Sequence, residues 1–179
     1  MEHYARFISV EAPWNDFGEL VKNHADNAFE RCPIQVLLDV GYEKVGGVSF
    51  WKIDPADALG IKRVVAAYFA SRTTISSTMI KYISEDAAKS LRINFVRTDS
   101  KLSPDTDLAK THHFDLRVRD AGTAFSLAKA MVGNEITYSS NEVAEAISSS
   151  LKSGFFALDK KFKAEIAHEL LAKKRLTVS

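Results

Sequence analysis

Gly46-Gly47-Val48-Ser49-Phe50-Trp51-Lys52-Ile53-Asp54-Pro55 is the stretch whose reading decides the fold. Two adjacent glycines suit a tight hairpin turn, and the run from Val48 to Ile53 has the β-branched and aromatic character of a strand. Asp54-Pro55 then reads as the N-cap and first-turn pair of a helix running to about Ser71. Just before the turn, Ile34 to Val40 is apolar and β-branched after Pro33, a second strand candidate.

Upstream, Tyr4 to Glu11 carries Ile8 and Val10 in a strand-like pattern that Pro13 stops. Trp14 to Arg31 follows as an amphipathic helix capped by Asn15 or Asp16, with Phe17, Leu20, Val21, His24, Ala28 and Phe29 on one face. The order strand, helix, strand, strand, helix is the opening of a ferredoxin-like, split βαβ unit. Thr74 to Ile83 supplies its last strand, with a helix over Ile75 to Ile83 as the competing reading. The expected class is α+β, with a ferredoxin-like subdomain over 1–90 and a second β-containing subdomain over 91–179.

Downstream of Ser84, a short helix to Leu91 and a strand over Arg92 to Arg97 precede Thr98 to Thr111, which has the Asp, Ser and Pro density of a loop. His113 to Arg119 alternates as a strand, Ala121 to Val132 is a helix stopped by Gly133-Asn134, and Glu135 to Tyr138 is a short strand. Ser139 and Glu142 have capping-box spacing ahead of a helix that Gly154 breaks. A last helix carries the stripe Leu158, Phe162, Ile166 and Leu170.

With 46% hydrophobic and 26% charged residues in 179, the chain is expected to be an ordinary folded protein. No apolar run approaches the roughly 18 residues of a membrane span and no signal-peptide series opens the chain, so the expected location is cytoplasmic. One cysteine, Cys32, excludes an internal disulfide framework and a multi-thiolate zinc site. The net charge of +1 argues mildly against a free-standing nucleic-acid binder. The tail is locally basic, through Lys152, Lys160, Lys161, Lys163, Lys173, Lys174 and Arg175.

Among chemistry-bearing residues, His24 is of the side-chain type suited to general acid or base work, although a partly buried, hydrogen-bonded histidine on an apolar stripe is the plainer reading. His113 and Asp115 share a strand face next to His112 and could pair or help hold a metal, but no third ligand is apparent and a solvated strand face is the plainer reading. Asp99, Asp105 and Asp107 miss the calcium-loop template at Ala109, which leaves turn and N-cap duty.

Several short matches then line up in chain order: Met1-Glu2-His3-Tyr4, Leu20-Val21-Lys22-Asn23-His24, Gly47-Val48-Ser49-Phe50, Leu59-Gly60 with Arg63, the series Arg97, Lys101, Pro104 and Asp105, His113-Phe114 with Leu116, and Thr137-Tyr138. Together they resemble the type I-F CRISPR repeat endoribonucleases, the Csy-type pre-crRNA processing proteins, over roughly the first 140 residues. The chain departs from that pattern in having no arginine-rich helix between Pro104 and His113, no serines before the His113 strand, and two helices after Ser139 in place of the family's ending.

The resemblance implies binding of a CRISPR repeat RNA hairpin within a ribonucleoprotein that holds other effector proteins, with metal-independent cleavage and no cofactor. In that scheme His24 takes the proton of a ribose 2′-hydroxyl, Tyr138 orients it, and Arg97, Lys101, Lys160, Lys161 and Lys163 hold phosphates. Two alternatives remain open: a protein that keeps the RNA-binding shape without catalysis, and a non-enzymatic α+β interaction protein that binds a partner or itself through Phe155, Phe156, Phe162, Ile166 and Leu170.

Overall fold

The computed structural model describes residues 2–8, 11–99, 103–158 and 162–172. Their strands form one six-stranded antiparallel sheet, and the protein is α+β. In chain order the strands are β1 (His3–Ile8), β2 (Val48–Ile53), β3 (Thr78–Ser84), β4 (Val96–Arg97), β5 (His113–Leu116) and β6 (Glu135–Tyr138). The helices are α1 (Ala12–Asn23), α2 (Ile34–Asp39), α3 (Ala58–Phe69), α4 (Glu85–Ser90), α5 (Thr106–His112), α6 (Ala121–Ala130), α7 (Ser140–Lys152) and α8 (Ala164–Ala172). Across the sheet the order is β4-β5-β2-β1-β3-β6.

The central strands carry adjacent apolar pairs, Phe7-Ile8, Phe50-Trp51 and Met79-Ile80, and neighbouring residues of a strand point to opposite faces. Phe7, Trp51 and Ile80 meet α3, α5, α7 and α8 on one face. Ile8, Phe50 and Met79 meet α1, α2, α4 and α6 on the other. The sheet is therefore the middle of three layers.

Both β2 and β3 run antiparallel to β1, which lies between them, so β2-α3-β3 is a split βαβ unit. A wider crossover, β5-α6-β6, spans the same three strands. It travels in the same direction across the sheet from a strand of opposite orientation, so one handedness requires its helix on the opposite face. The two cores place α3 and α6 in that way.

Several elements differ from expectation. Ile34 to Val40 forms no strand: it is α2, followed by Val40. Pro33 leads into this helix, Val36, Leu37 and Val40 are buried together, and Gln35 Nε2 donates to Asp39 Oδ1 at 2.8 Å across one helical turn. The place beside β2 is taken by β5, so the ferredoxin-like unit expected within 1–90 draws its fourth strand from beyond residue 91. Gly47 keeps the tight approach there. Its φ is +80°, and a Cβ would lie 2.7 Å from the Leu116 carbonyl oxygen.

The first helix is shorter than Trp14 to Arg31 and starts earlier. Pro13 sits in its first turn instead of stopping a strand, Glu11 is the N-cap, and the chain leaves the helix at His24. The next long helix starts at Ala58 with Asp57 as its cap, because Asp54 closes a separate turn through the Ala56 N–H at 3.0 Å. The expected loop over Thr98 to Thr111 contains α5, capped by Asp105. Ser139 and Glu142 form the expected capping box. Among the described residues no helix is long and apolar enough to cross a membrane.

Candidate functional site

The structure does not bring His24 and Tyr138 together. His24 is exposed at the C-terminal end of α1, in the layer that covers one face of the sheet. Tyr138 ends β6 and packs half-buried into the core on the other face. Burial, with Glu142 adding to it, pushes the Tyr138 phenol up from its ordinary pKa, so it stays protonated at neutral pH. The hollow beside His24, about 290 Å³, is lined by Asp16 and Glu19 as well as Arg31, and Glu19 already accepts from Lys22 at 3.0 Å. Lys101, Lys160 and Lys161 lie outside the described residues.

His113 is buried against Trp51, edge to face with centroids 5.1 Å apart. Its Nδ1 meets the Thr98 hydroxyl at 2.8 Å, while Nε2 is 4.0 Å from Asp115 Oδ1, too long for a hydrogen bond. Burial lowers the His113 pKa and outweighs the raising effect of Asp115, so the ring is neutral at pH 7. Among the described residues no group of three or more His, Cys, Asp or Glu side chains could hold a metal ion. Asp105 is a helix cap and a partner of Arg63, with Nε–Oδ2 at 2.6 Å.

The strongest site is a cleft of about 260 Å³ between the sheet and the C-terminal end of α3. On the sheet side, the β1-β2 ladder ends at Ala5 opposite Trp51, and Arg6 stands beyond it. Arg6 Nε donates to the Asp39 carbonyl at 3.0 Å, and Nη1 donates to the Ser49 carbonyl at 3.2 Å. Burial lowers the Arg6 pKa, yet a guanidinium keeps its charge at any working pH. The Asp39 carboxylate accepts from Trp14 Nε1 at 3.0 Å and from Gln35, and its charge works against the lowering that burial imposes on Arg6.

On the helix side, Tyr68 stacks on Phe7 with ring centroids 3.9 Å apart and planes 3° from parallel. Its other face is covered by Arg72, whose guanidinium carbon lies 4.3 Å from the ring centroid and which also donates to the Tyr68 hydroxyl. Tyr68 and Arg72 are four residues apart, which sets them on one side of the helix end. Ser71 Oγ turns back onto the Tyr68 carbonyl at 2.9 Å. Ser49, Ser103 and His113 complete the lining.

A second hollow of about 220 Å³ shares Tyr68 and Arg72 with the first and is walled by Thr73, Thr74, Ser76, Ser77 and Thr78. The joined surface carries two guanidiniums and a run of hydroxyls, with no carboxylate among its described lining residues. A carboxylate stands at its edge: Asp115, on the strand face of His113 and paired in register with Ser49, accepts from Ser49 Oγ at 3.3 Å. A cavity of about 320 Å³ elsewhere contains Lys52, Arg63 and His112, but its cations are paired, Lys52 with Glu2 and Arg63 with Asp105. Of these hollows, the cleft at Arg6 and Arg72 is the one whose described lining combines two guanidiniums with no carboxylate.

Of the residues expected to hold phosphate, neither Arg97 nor Lys163 lines this cleft. Arg97 pairs with Phe114, which packs against the core on the α1, α2, α4 and α6 side, so its side chain leaves the sheet on the face away from His113. The Lys163 backbone N–H donates to the Ala70 carbonyl at 3.1 Å, one residue before Ser71. Arg6 and the Ser71 to Thr78 segment were not singled out from the sequence. The available signals were a cation in an otherwise apolar strand and one arginine within Ser71-Arg72-Thr73-Thr74-Ile75-Ser76-Ser77-Thr78.

No family model, curated protein or solved structure matches the chain.

Proposed function

We propose that this protein binds RNA through the Arg6–Arg72 cleft and serves as a non-catalytic component of a ribonucleoprotein. The observation that carries the reading is a cleft lined by two guanidiniums and a run of hydroxyls, without a carboxylate among its described lining residues. Phosphate oxygens accept charge-assisted bonds from guanidinium and further bonds from Ser and Thr hydroxyls. The resemblance to Csy-type proteins points to CRISPR repeat RNA as the first RNA to test. A near-neutral chain with one local grip suits a component held in place by other subunits better than a free-standing binder.

The geometry lends no support to cleavage by His24 and Tyr138, which lie in different layers, so the proposal is one of binding. The docking alternative is weakened because Phe156, Phe162, Ile166 and Leu170 are spent in the protein's own core. Phe155 is 45% exposed and lies under the Arg63 guanidinium at 4.3 Å.

The test is fluorescence anisotropy with labelled repeat RNA and single-stranded RNA in EDTA, comparing wild type with Arg72→Glu and His24→Ala. Binding that is lost in Arg72→Glu and kept in His24→Ala, with the RNA intact throughout, supports the proposal. No binding to either RNA, or equal binding by all three proteins, rejects it.

A further inference from the structure

We infer that the cleft seats a terminal phosphate monoester, so that the RNA is held by a phosphorylated end; this rests on the RNA-binding reading above. The cleft has a closed floor. Arg6 and Ser49 belong to the sheet, and the Asp39 carbonyl bonded to Arg6 belongs to α2 in the layer behind it, so a strand cannot thread through. At about 260 Å³ it falls below the roughly 300–1,000 Å³ of pockets that enclose whole drug-sized ligands, and it suits a headgroup.

The aromatic side chains are not available to stack a base. Tyr68 has Phe7 on one face and Arg72 on the other, and Trp51 is buried against His113. What remains to recognise a ligand is charge and hydrogen-bond donors. Two guanidiniums balance the two negative charges that a phosphate monoester approaches above its second pKa of about 6, whereas an internal phosphodiester carries one. A guanidinium has five N–H donors, of which the Asp39 and Ser49 carbonyls take two on Arg6. Arg6 lines the cleft, so its remaining donors are the ones a ligand seated there would engage.

Both cations are held before any ligand arrives, Arg6 by two carbonyls and Arg72 by the ring and hydroxyl of Tyr68. Holding them in place reduces the ordering cost of binding. Arg72 also lines the neighbouring hollow, so the chain leaves the seat past Arg72 and meets the hydroxyls of Thr73, Thr74 and Ser76.

The experiment compares one RNA sequence carrying a 5′-phosphate, a 3′-phosphate or hydroxyls at both ends, with AMP and inorganic phosphate as competitors. Wild type, Arg6→Lys, Arg72→Gln and the opposite-layer control Lys129→Gln are titrated by anisotropy and calorimetry. One phosphorylated end should bind about tenfold tighter or better than the hydroxyl RNA, an advantage kept in Lys129→Gln and lost in Arg72→Gln. Equal affinity for all three RNAs overturns the seat and leaves RNA binding standing. Binding of AMP or phosphate, sensitive to Arg72→Gln but without any RNA binding, keeps the seat and overturns the RNA reading. No binding of any ligand overturns both. If Arg6→Lys fails to fold by circular dichroism, the exposed Arg72 variant decides alone.

Discussion

Replacing Asp105 by alanine should remove about 3–4 kcal/mol of stability, through two separable losses. The Asp105 carboxylate is 1% exposed and accepts from Arg63 Nε at 2.6 Å, from Arg63 Nη2 at 2.9 Å and from the Leu108 N–H at 3.0 Å. Breaking a buried pair costs about 3–5 kcal/mol when the surviving charge is stranded. Arg63 is 29% exposed and can recover part of its hydration, so the lower end, about 3 kcal/mol, applies. Loss of the α5 cap adds about 1 kcal/mol. For a chain of this length each kcal/mol moves the melting temperature by about 2–4 °C, so a fall of roughly 6–16 °C is expected. Asp105→Asn, which keeps a capping oxygen and loses the charge, should fall between wild type and Asp105→Ala. Urea unfolding followed by circular dichroism measures all three, and a cost under about 1 kcal/mol for the alanine variant would refute the reasoning. Because the Asp105 carbonyl accepts from Ser103 Oγ at 3.3 Å, the alanine variant should also weaken ligand binding at the cleft.

Arg92 ends α4 in the left-handed region at φ +55°, and Arg92→Gly should raise stability by about 0.5–1 kcal/mol, read as a higher urea midpoint. Burial lowers the pKa of both His112 and His113 from the ordinary value of about 6.5, so as pH falls through that value the unfolded chain takes up protons that the folded chain refuses. Stability should therefore be full above about pH 6.5 and decline below it, and His113→Gln should flatten the decline between pH 7.5 and 5.5 in urea titrations. Burial pushes the Cys32 thiol up to about 11, so iodoacetamide at pH 8 should label it on the order of a hundredfold more slowly in the native protein than in urea.

Local signals were legible at the starts of three helices. Ser84, Asp120 and Ser139 each accept the backbone N–H three residues on and start α4, α6 and α7. Asp105 has the same property, but the surrounding Ser, Pro and Asp residues read as a loop and concealed α5. Ile34 to Val40 was ambiguous because a short apolar run has no decisive period. Its helical state is supported by Asp39, whose carboxylate ties Trp14 and Gln35 together. The adjacent apolar pairs Phe7-Ile8, Phe50-Trp51 and Met79-Ile80 held the information that both faces of the sheet are covered.

The candidate site was far less legible. Arg6 reaches Asp39 and Ser49 across sequence separations of 33 and 43 residues, and the end of α3 meets it only through the β2-α3-β3 crossover. No spacing rule connects such residues. His24, by contrast, attracted attention through a local helical pattern, and the early end of α1 leaves it exposed in a different layer from Tyr138.

The central claim is that RNA is held at the cleft by Arg72 together with Arg6. Its most direct test is the affinity of wild type and Arg72→Glu for the same labelled RNA, measured across a salt titration in EDTA. Measurable wild-type binding that weakens with salt, with at least about a tenfold loss in a folded Arg72→Glu variant, is the predicted result. Identical affinities and identical salt slopes for the two proteins would contradict it.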